Sequence, residues 1–495
     1  KRGQAVGVGR GEGLGDLKVV VPQSPFPGQF LGGRRAAERD LDAGGGQGGE
    51  ENERQETGNG HGAYYTIIRL MTRKIPASGI NLFQLIYVLI REYSERTGLE
   101  PLNLSLGNPD GIPIVKIREL KAKFAKEPGL EYHTYAEDRN LLGFAESMVE
   151  LHGTLKVGEH PHLRALPIPG IKTASALIPL ACGLHLPDRK RRDNFLVASN
   201  LPAYDVIGTW SDSYLAANRV AWPLSSADGM RLSVPRLEQA LKERGADRAD
   251  LIFTIRPGNP ASVGASRQDW VKLVEHCLAR GTRLVNDAAY AGLSGGAHTP
   301  LAAVAKDYPD LEWLELYSVS KSFNDPGARL GALVGSKDFV EDFTMIKGNT
   351  ESGPVPGVMA AYGEFLADRP AARKALEDLT ALYQKRLAYV VPRLKAAGLR
   401  EACPVEAGFF TLWKTPRRIF GQDPAKEGPT AGRPLHEAYN LRVIAETGIV
   451  GVHFQGPDIG GHRENFIRYA VCADVLDPSF QKRFEVQLAR LKPEY

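Results

Sequence analysis

The sequence predicts an α/β protein: a large domain with a mainly parallel sheet covered by helices, followed by a smaller α+β domain. Three observations carry that reading. From about residue 80, short apolar runs alternate with helical patterns, and strands separated by helices form parallel sheets covered on both faces. The polar residues able to do chemistry fall just after the apolar runs, where open α/β sheets bind their ligands. After Pro370 the pattern changes to one long helical stretch and then scattered short strands.

The elements follow in order. Residues 1–62 are rich in glycine and charge and poor in aromatics. Such a stretch buries too little surface to offset its ordering entropy, so 1–70 reads as a disordered tail, with the folded part starting near Met71. Gly44-x-Gly46-x-x-Gly49 has the spacing of a dinucleotide loop but no strand before it. Acidic residues at 50, 51 and 53 argue against a transit peptide. Asn81 to Arg96 carries Leu82, Leu85, Ile86, Leu89 and Ile90 on one helical face. Strands are expected at Leu102–Leu106, Phe195–Ala198, Val220–Pro223, Leu251–Ile255, Arg283–Asn286, Leu314–Val319 and Ala332–Val334. Helices are expected at Ala174–Cys182, Val234–Glu243 and Arg267–Ala279, the last capped by Ser266. Beyond Pro370 come a helix over Ala371–Ala397, strands near Phe409–Trp413 and Phe466–Val471, and a closing helix near Phe480–Leu491. The domains read as 111–365 and 366–495, with 71–110 joining the smaller one.

Composition excludes several classes of partner. The formal charge of +4 over 495 residues argues against nucleic acid or a membrane surface. No apolar run approaches the ~18 residues of a membrane span. Four scattered cysteines without a CxxC pair read as buried thiols in a reducing compartment, which points to the cytoplasm. No His/Cys cluster has metal-ligand spacing, so no metal is expected.

The chemistry centres on Ser318-Val319-Ser320-Lys321-Ser322 with Gly327-Ala328-Arg329 eight residues on. A lysine at the end of an apolar strand, hydroxyls at Ser318 and Ser320, and a guanidinium between small residues suit an amine that forms an imine with a phosphate-bearing aldehyde, pyridoxal phosphate. Asp287 ends a buried strand, where a carboxylate needs a partner; facing a pyridine nitrogen, it would keep that nitrogen protonated. Asn259 and Tyr290 could hydrogen-bond the ring's phenolic oxygen. Gly170-Ile171-Lys172 opens a helix, whose free N–H groups suit a phosphate. Tyr204 could stack on the ring. Arg468, inside the apolar run Phe466–Ala470, suits a substrate carboxylate. Taken singly, each has a plainer alternative: a solvated Lys172, a core Tyr204, a turn Asn259, an edge-strand Arg468.

In this order and at these spacings the residues resemble the class I/II aminotransferases of pyridoxal-phosphate fold type I, from about Ser78 to the C-terminus. The resemblance implies a transaminase that moves an amino group between an L-amino acid and a 2-oxo acid by a ping-pong cycle. It implies a homodimer in which Tyr135 reaches the neighbouring subunit's phosphate, and Gly107 beside the substrate. Lys347-Gly348-Asn349-Thr350-Glu351-Ser352-Gly353 looks like the branch of LL-diaminopimelate and alanine aminotransferases. There are departures: Ala261-Ser262-Val263 after the Asn-Pro pair looks more like aspartate 4-decarboxylases, Ala288 stands where the family usually has Glu, and Ala328 where it usually has Trp. A lyase or decarboxylase on the same fold is therefore the alternative. Gly292-x-Ser294-x-Gly296 matches a serine-hydrolase elbow in letters only, because loop residues follow it. A transcription factor would need a helix-turn-helix ahead of residue 70, where no helical pattern stands.

Overall fold

The chain is seen in a computed structural model that describes residues 82–107, 112–186, 195–204 and 217–495. The expected tail, the glycine tract and the start near Met71 lie outside the described residues.

The larger sheet has seven strands. They are β2 (Leu163–Ile168), β3 (Leu196–Leu201), β4 (Asn218–Pro223), β5 (Leu251–Ile255), β6 (Arg283–Asp287), β7 (Trp313–Ser318) and β8 (Gly331–Ser336). Their order is β2-β8-β7-β6-β5-β3-β4. The β7–β6, β6–β5, β5–β3 and β3–β4 pairs are parallel. Strand β8 alone runs against its neighbours β2 and β7.

Alternation along each strand fills two cores. Leu284, Trp313 and Tyr317 enter one with Phe144, Trp222 and Trp270. Val285, Leu314 and Leu316 enter the other with Ile178 and Phe339. Both faces are thus covered, as a parallel sheet requires.

A polar ladder crosses the middle strands. Thr254 Oγ1 donates to Asn286 Oδ1 at 2.9 Å, and Asn286 Nδ2 donates to Glu315 Oε1 at 2.8 Å. Glu315 also accepts from the N–H groups of Leu301 and Ala302 and from the Tyr317 hydroxyl. Burial pushes this carboxyl above its ordinary range while the four donors oppose the shift. Each partner satisfies the next, and a one-residue slip of any strand would leave buried polar groups unpaired.

Four further strands follow the larger sheet in the chain. They are β9 (Phe410–Lys414), β10 (Ile449–Val450), β11 (Val452–Ile459) and β12 (His462–Ala470). An antiparallel sheet has the order β11-β12-β9, while β1 (Leu102–Asn103) lies parallel to β10. The residues from Leu89 to Tyr495 belong to one compact unit; the other, which ends at Val88, shows only the first turns of the helix Leu82–Thr97.

Helix ends follow local chemistry. Ser266 and Asp269 form a reciprocal capping box at the start of Arg267–Arg280, a device worth about 1 kcal/mol. The expected strand Leu102–Leu106 ends early at Asn103, whose Oδ1 accepts from the Ser105 N–H and hydroxyl and turns the chain aside. The helix expected from Ala174 starts at Ile171, directly after Gly170.

Candidate active site

Lys321 lies on the short helix Val319–Ser322 that follows β7. The helix is capped by Ser318, whose Oγ accepts from the Ser320 N–H at 3.0 Å. Ser318 and Ser320 are both buried. The Lys321 amine donates to the Gly107 carbonyl. Burial is the main cause that lowers its pKa to about 8; the charges of Arg468 and Arg329 push the same way, and Cys472 and Asp287 oppose them. Such an amine is a usable base near neutral pH.

Asp287 ends β6 close enough to Lys321 for their charges to interact. Burial raises its pKa to about 6, and the Ala289 N–H, donating at 3.0 Å, and the Lys321 charge hold it down. A protonated nitrogen opposite this carboxylate would stabilise its charged form further.

Three residues form a chain beside the lysine. Arg468 Nη1 donates to Asn259 Oδ1 at 2.7 Å, and Asn259 Nδ2 donates to the Tyr290 oxygen at 3.4 Å. Tyr204 joins through its backbone N–H, which donates to the Asn259 carbonyl at 2.7 Å. Burial pushes the Tyr290 phenol well above its ordinary value, so it stays a proton donor.

Arg468 is only 1% exposed. Burial lowers its pKa to about 10. Its guanidinium lies 4.1 Å from the Phe410 ring centre, and Nη2 donates to the Ser105 carbonyl at 2.7 Å. Its Nε has no hydrogen-bond partner. Among the described residues no carboxylate pairs with it. A buried cation so placed is costly unless an anion arrives.

Gly170 and Arg329 meet at the start of the helix Ile171–Pro179. Gly170 has φ +96°, and a Cβ there would stand 2.7 Å from Arg329 Nη2. The guanidinium and the helix's free N–H groups therefore converge on one spot. Ile171 is buried and Lys172 exposed. Gly170→Ala should destabilise the protein by about 1–3 kcal/mol and weaken cofactor binding, because both the backbone and Arg329 must shift. Thermal melting and cofactor titration check it; an unchanged pair of values would contradict it.

Of the residues expected from sequence, Lys321, Asp287, Asn259, Tyr290, Arg468, Tyr204 and Gly107 are linked by contact or by electrostatic influence. Ser318, Ser320, Arg329 and Ile171 flank them. Lys172 and Tyr135 stand apart: each is exposed, Tyr135 by 72%. Two participants were not expected. Phe410 packs under Arg468, and the Ser105 carbonyl orients it. The only signal was the paired Phe409-Phe410, which reads equally well as core. Ser294 follows a 3-10 turn and its hydroxyl donates to the Ala291 carbonyl, a geometry unlike a nucleophile elbow. The four cysteines are buried and form no disulfide. No helix among the described residues is long and apolar enough to cross a membrane.

A hollow at the amino ends of the strands, lined by Cys182, Arg248, Asp250, Arg283, Glu312 and Asp342, contrasts with this site. Its charges are already paired, with Arg283 holding both Glu312 and Asp342.

A lysine after one strand, a carboxylate at the end of the next and a phosphate-shaped helix start define the pyridoxal-phosphate enzymes of fold type I. Comparison with known proteins narrows this. The family described as "Aminotransferase class I and II" matches residues 101–477. An LL-diaminopimelate aminotransferase from Syntrophobacter fumaroxidans is 26% identical over 404 residues, 79% of this chain and 92% of the relative. One from Moorella thermoacetica is 29% identical over 342 residues, 68% and 81% of the two chains. Among solved structures, a double mutant of Thermus thermophilus aspartate aminotransferase superposes with a TM-score of 0.65 at 18% identity, covering 83% of this chain and 97% of that one. Substrate-bound BacF from Bacillus subtilis gives 0.66 at 18%, covering 84% and 96%. The chain belongs to the class I and II aminotransferases, and it is a pyridoxal-phosphate-dependent transaminase.

Proposed function

We propose that Lys321 is the covalent anchor of the cofactor and the base that takes the Cα proton of an L-amino acid. The observation that supports this most is a buried amine with its pKa lowered to about 8, within electrostatic reach of the Asp287 carboxylate. When bound, the cofactor supplies an aldehyde for amine exchange and a protonated ring as electron sink. Asp287 would face the ring nitrogen. Asn259 and Tyr290 would hold the phenolic oxygen, and Tyr204 would lie against the ring. Ser318, Ser320, Arg329, Lys172 and the Ile171 N–H would bind the phosphate.

Arg468 clamps the substrate carboxylate beside Asn259 and Gly107. The enzyme runs two half-reactions in turn and releases a 2-oxo acid before the second oxo acid binds. We further propose a homodimer in which Tyr135 serves the neighbouring subunit; its 72% exposure supports that use. We also propose a larger domain over 111–365, which holds the seven-stranded sheet, and a smaller one over 366–495, which holds the β11-β12-β9 sheet. Four buried cysteines without a disulfide fit a cytoplasmic protein.

The test is a single half-reaction. An amino acid added alone to the holoenzyme should convert the cofactor to its amine form in equal amount to the active sites. Release of pyruvate with ammonia, or of carbon dioxide, would overturn the reading in favour of a lyase. The relatives' names put LL-diaminopimelate first among donors to assay.

The lowered Lys321 pKa makes a second expectation. Only the neutral amine attacks an aldehyde, and the neutral fraction grows as pH rises through the pKa. Covalent loading of the apo-protein should therefore speed up with pH and level off above about 8. Mixing kinetics from about pH 6 to pH 10 would read this; a rise continuing to the ordinary lysine value, about 10.4, would contradict it.

A further inference from the structure

We infer that Asp325 is a positioning residue for the loop that joins the cofactor-anchoring lysine to the phosphate-binding arginine, and that it acts through Lys121 and Tyr362. The inference rests on the roles proposed above for Lys321 and Arg329.

The loop between those residues is short and unusual. Asn324 has φ +56° and Arg329 φ +48°, so two non-glycine residues take the left-handed conformation within six positions. Each such residue costs about 1–2 kcal/mol, and surrounding contacts must hold it in place. Asp325 lies next to the first of them. It is 6% exposed, although carboxylates seldom leave water unpaired.

Its carboxylate accepts from the Lys121 ammonium, on the helix Val115–Lys126, and from the Tyr362 hydroxyl at 2.8 Å, on the helix Pro356–Ala367. Its own carbonyl accepts from the Ala328 N–H at 3.2 Å, and Arg329 Nη1 donates to the Pro326 carbonyl at 3.0 Å. Phe323, two residues earlier, packs its ring 5.8 Å from Tyr362 and 5.5 Å from Phe365. Two helices therefore grip the loop from behind, one contact apolar and one ionic.

Asp325 fixes the spacing between the amine and the guanidinium, which would take the aldehyde and the phosphate arm on neighbouring carbons of one cofactor ring. The side chain at this position needs to be short, charged and buried, because a neutral one would leave the Lys121 ammonium without its partner. Burial and the neighbouring carboxylate push the Tyr362 phenol well above its ordinary value, so it remains a donor at working pH.

The experiment is a cofactor titration of the apo-protein, read by absorbance, with thermal melting of the same samples. Asp325→Ala should raise the pyridoxal phosphate Kd about tenfold and Tyr362→Phe about threefold, as expected for losing a charged and a neutral buried hydrogen bond. The pH midpoint of covalent loading should move in Asp325→Ala, since Arg329 no longer stands at its native distance from Lys321. In a cycle of Lys121→Met, Asp325→Asn and their double variant, the double should lose less than the two single losses combined. A Kd and midpoint unchanged in both Asp325→Ala and Tyr362→Phe would overturn the inference. So would losses that only track a lower melting temperature. If Asp325→Ala does not fold, Tyr362→Phe and the double variant decide the matter alone. Failure of the wild-type protein to bind the cofactor through Lys321 would instead sink the proposed roles.

Discussion

Lys321→Ala is expected to abolish turnover, with a loss of at least about a thousandfold, together with the absorbance band of the lysine-bound cofactor. Two separate functions disappear with the amine. In the proposed roles it holds the aldehyde covalently before substrate arrives and then takes the substrate's Cα proton, with burial lowering its pKa to about 8. The Asp287 carboxylate, raised to about 6 by burial, is a weaker base and in the same proposal pairs with the ring nitrogen. The phosphate cradle at Gly170 and Arg329 remains, so the variant should still bind cofactor, though non-covalently. A variant that turned over normally would remove Lys321 from the mechanism.

Arg468→Leu should cost nearly as much, but in a different constant. The guanidinium is buried against Phe410, oriented by Asn259 and the Ser105 carbonyl, and has an unpartnered Nε. A carboxylate bound there gains two charge-assisted hydrogen bonds, each worth about 1.5–3 kcal/mol. Their loss predicts a fall in kcat/KM of about 10² to 10⁴, carried mainly by KM for the amino acid. Cofactor loading should change little, because Lys321 and Arg329 are intact. Arg468→Lys should recover only part of the loss, since an ammonium keeps the charge but not the fork. Steady-state kinetics of the three proteins decide it. An unaltered KM in Arg468→Leu would mean that the carboxylate binds elsewhere.

Much of this site is legible from residue order because its members break a pattern. Asp287, Lys321 and Arg468 are charged groups at the ends of, or inside, apolar strands, where packing alone has no use for them. Strand β5 is found with its bounds unchanged, since Asp250 and Pro257 close the run Leu251–Ile255 at both sides. Strand β2 escapes notice: Leu163–Ile168 carries Arg164 and Pro167, which suit an edge strand but interrupt the apolar run. Strand β11 is hidden in the same way by Gly456-Pro457, where the register shifts.

Partners distant in the chain are the larger gap. Phe410 comes under Arg468 because β9 and β12 pair antiparallel with Leu412 opposite Arg468, which sets Phe410 diagonally on the same face. Asp325 meets Lys121 from 204 positions away and Tyr362 from 37. No local pattern marks either encounter; only the packing of helices on the sheet creates it.

The most direct test of the central claim is chemical trapping. The holoenzyme is reduced with borohydride, digested, and its peptides are sequenced by mass spectrometry. A pyridoxyl group on the peptide that contains Lys321, absent from Lys321→Ala, is the outcome this account requires. A stable label on another lysine, Lys172 or Lys347 for example, would contradict it.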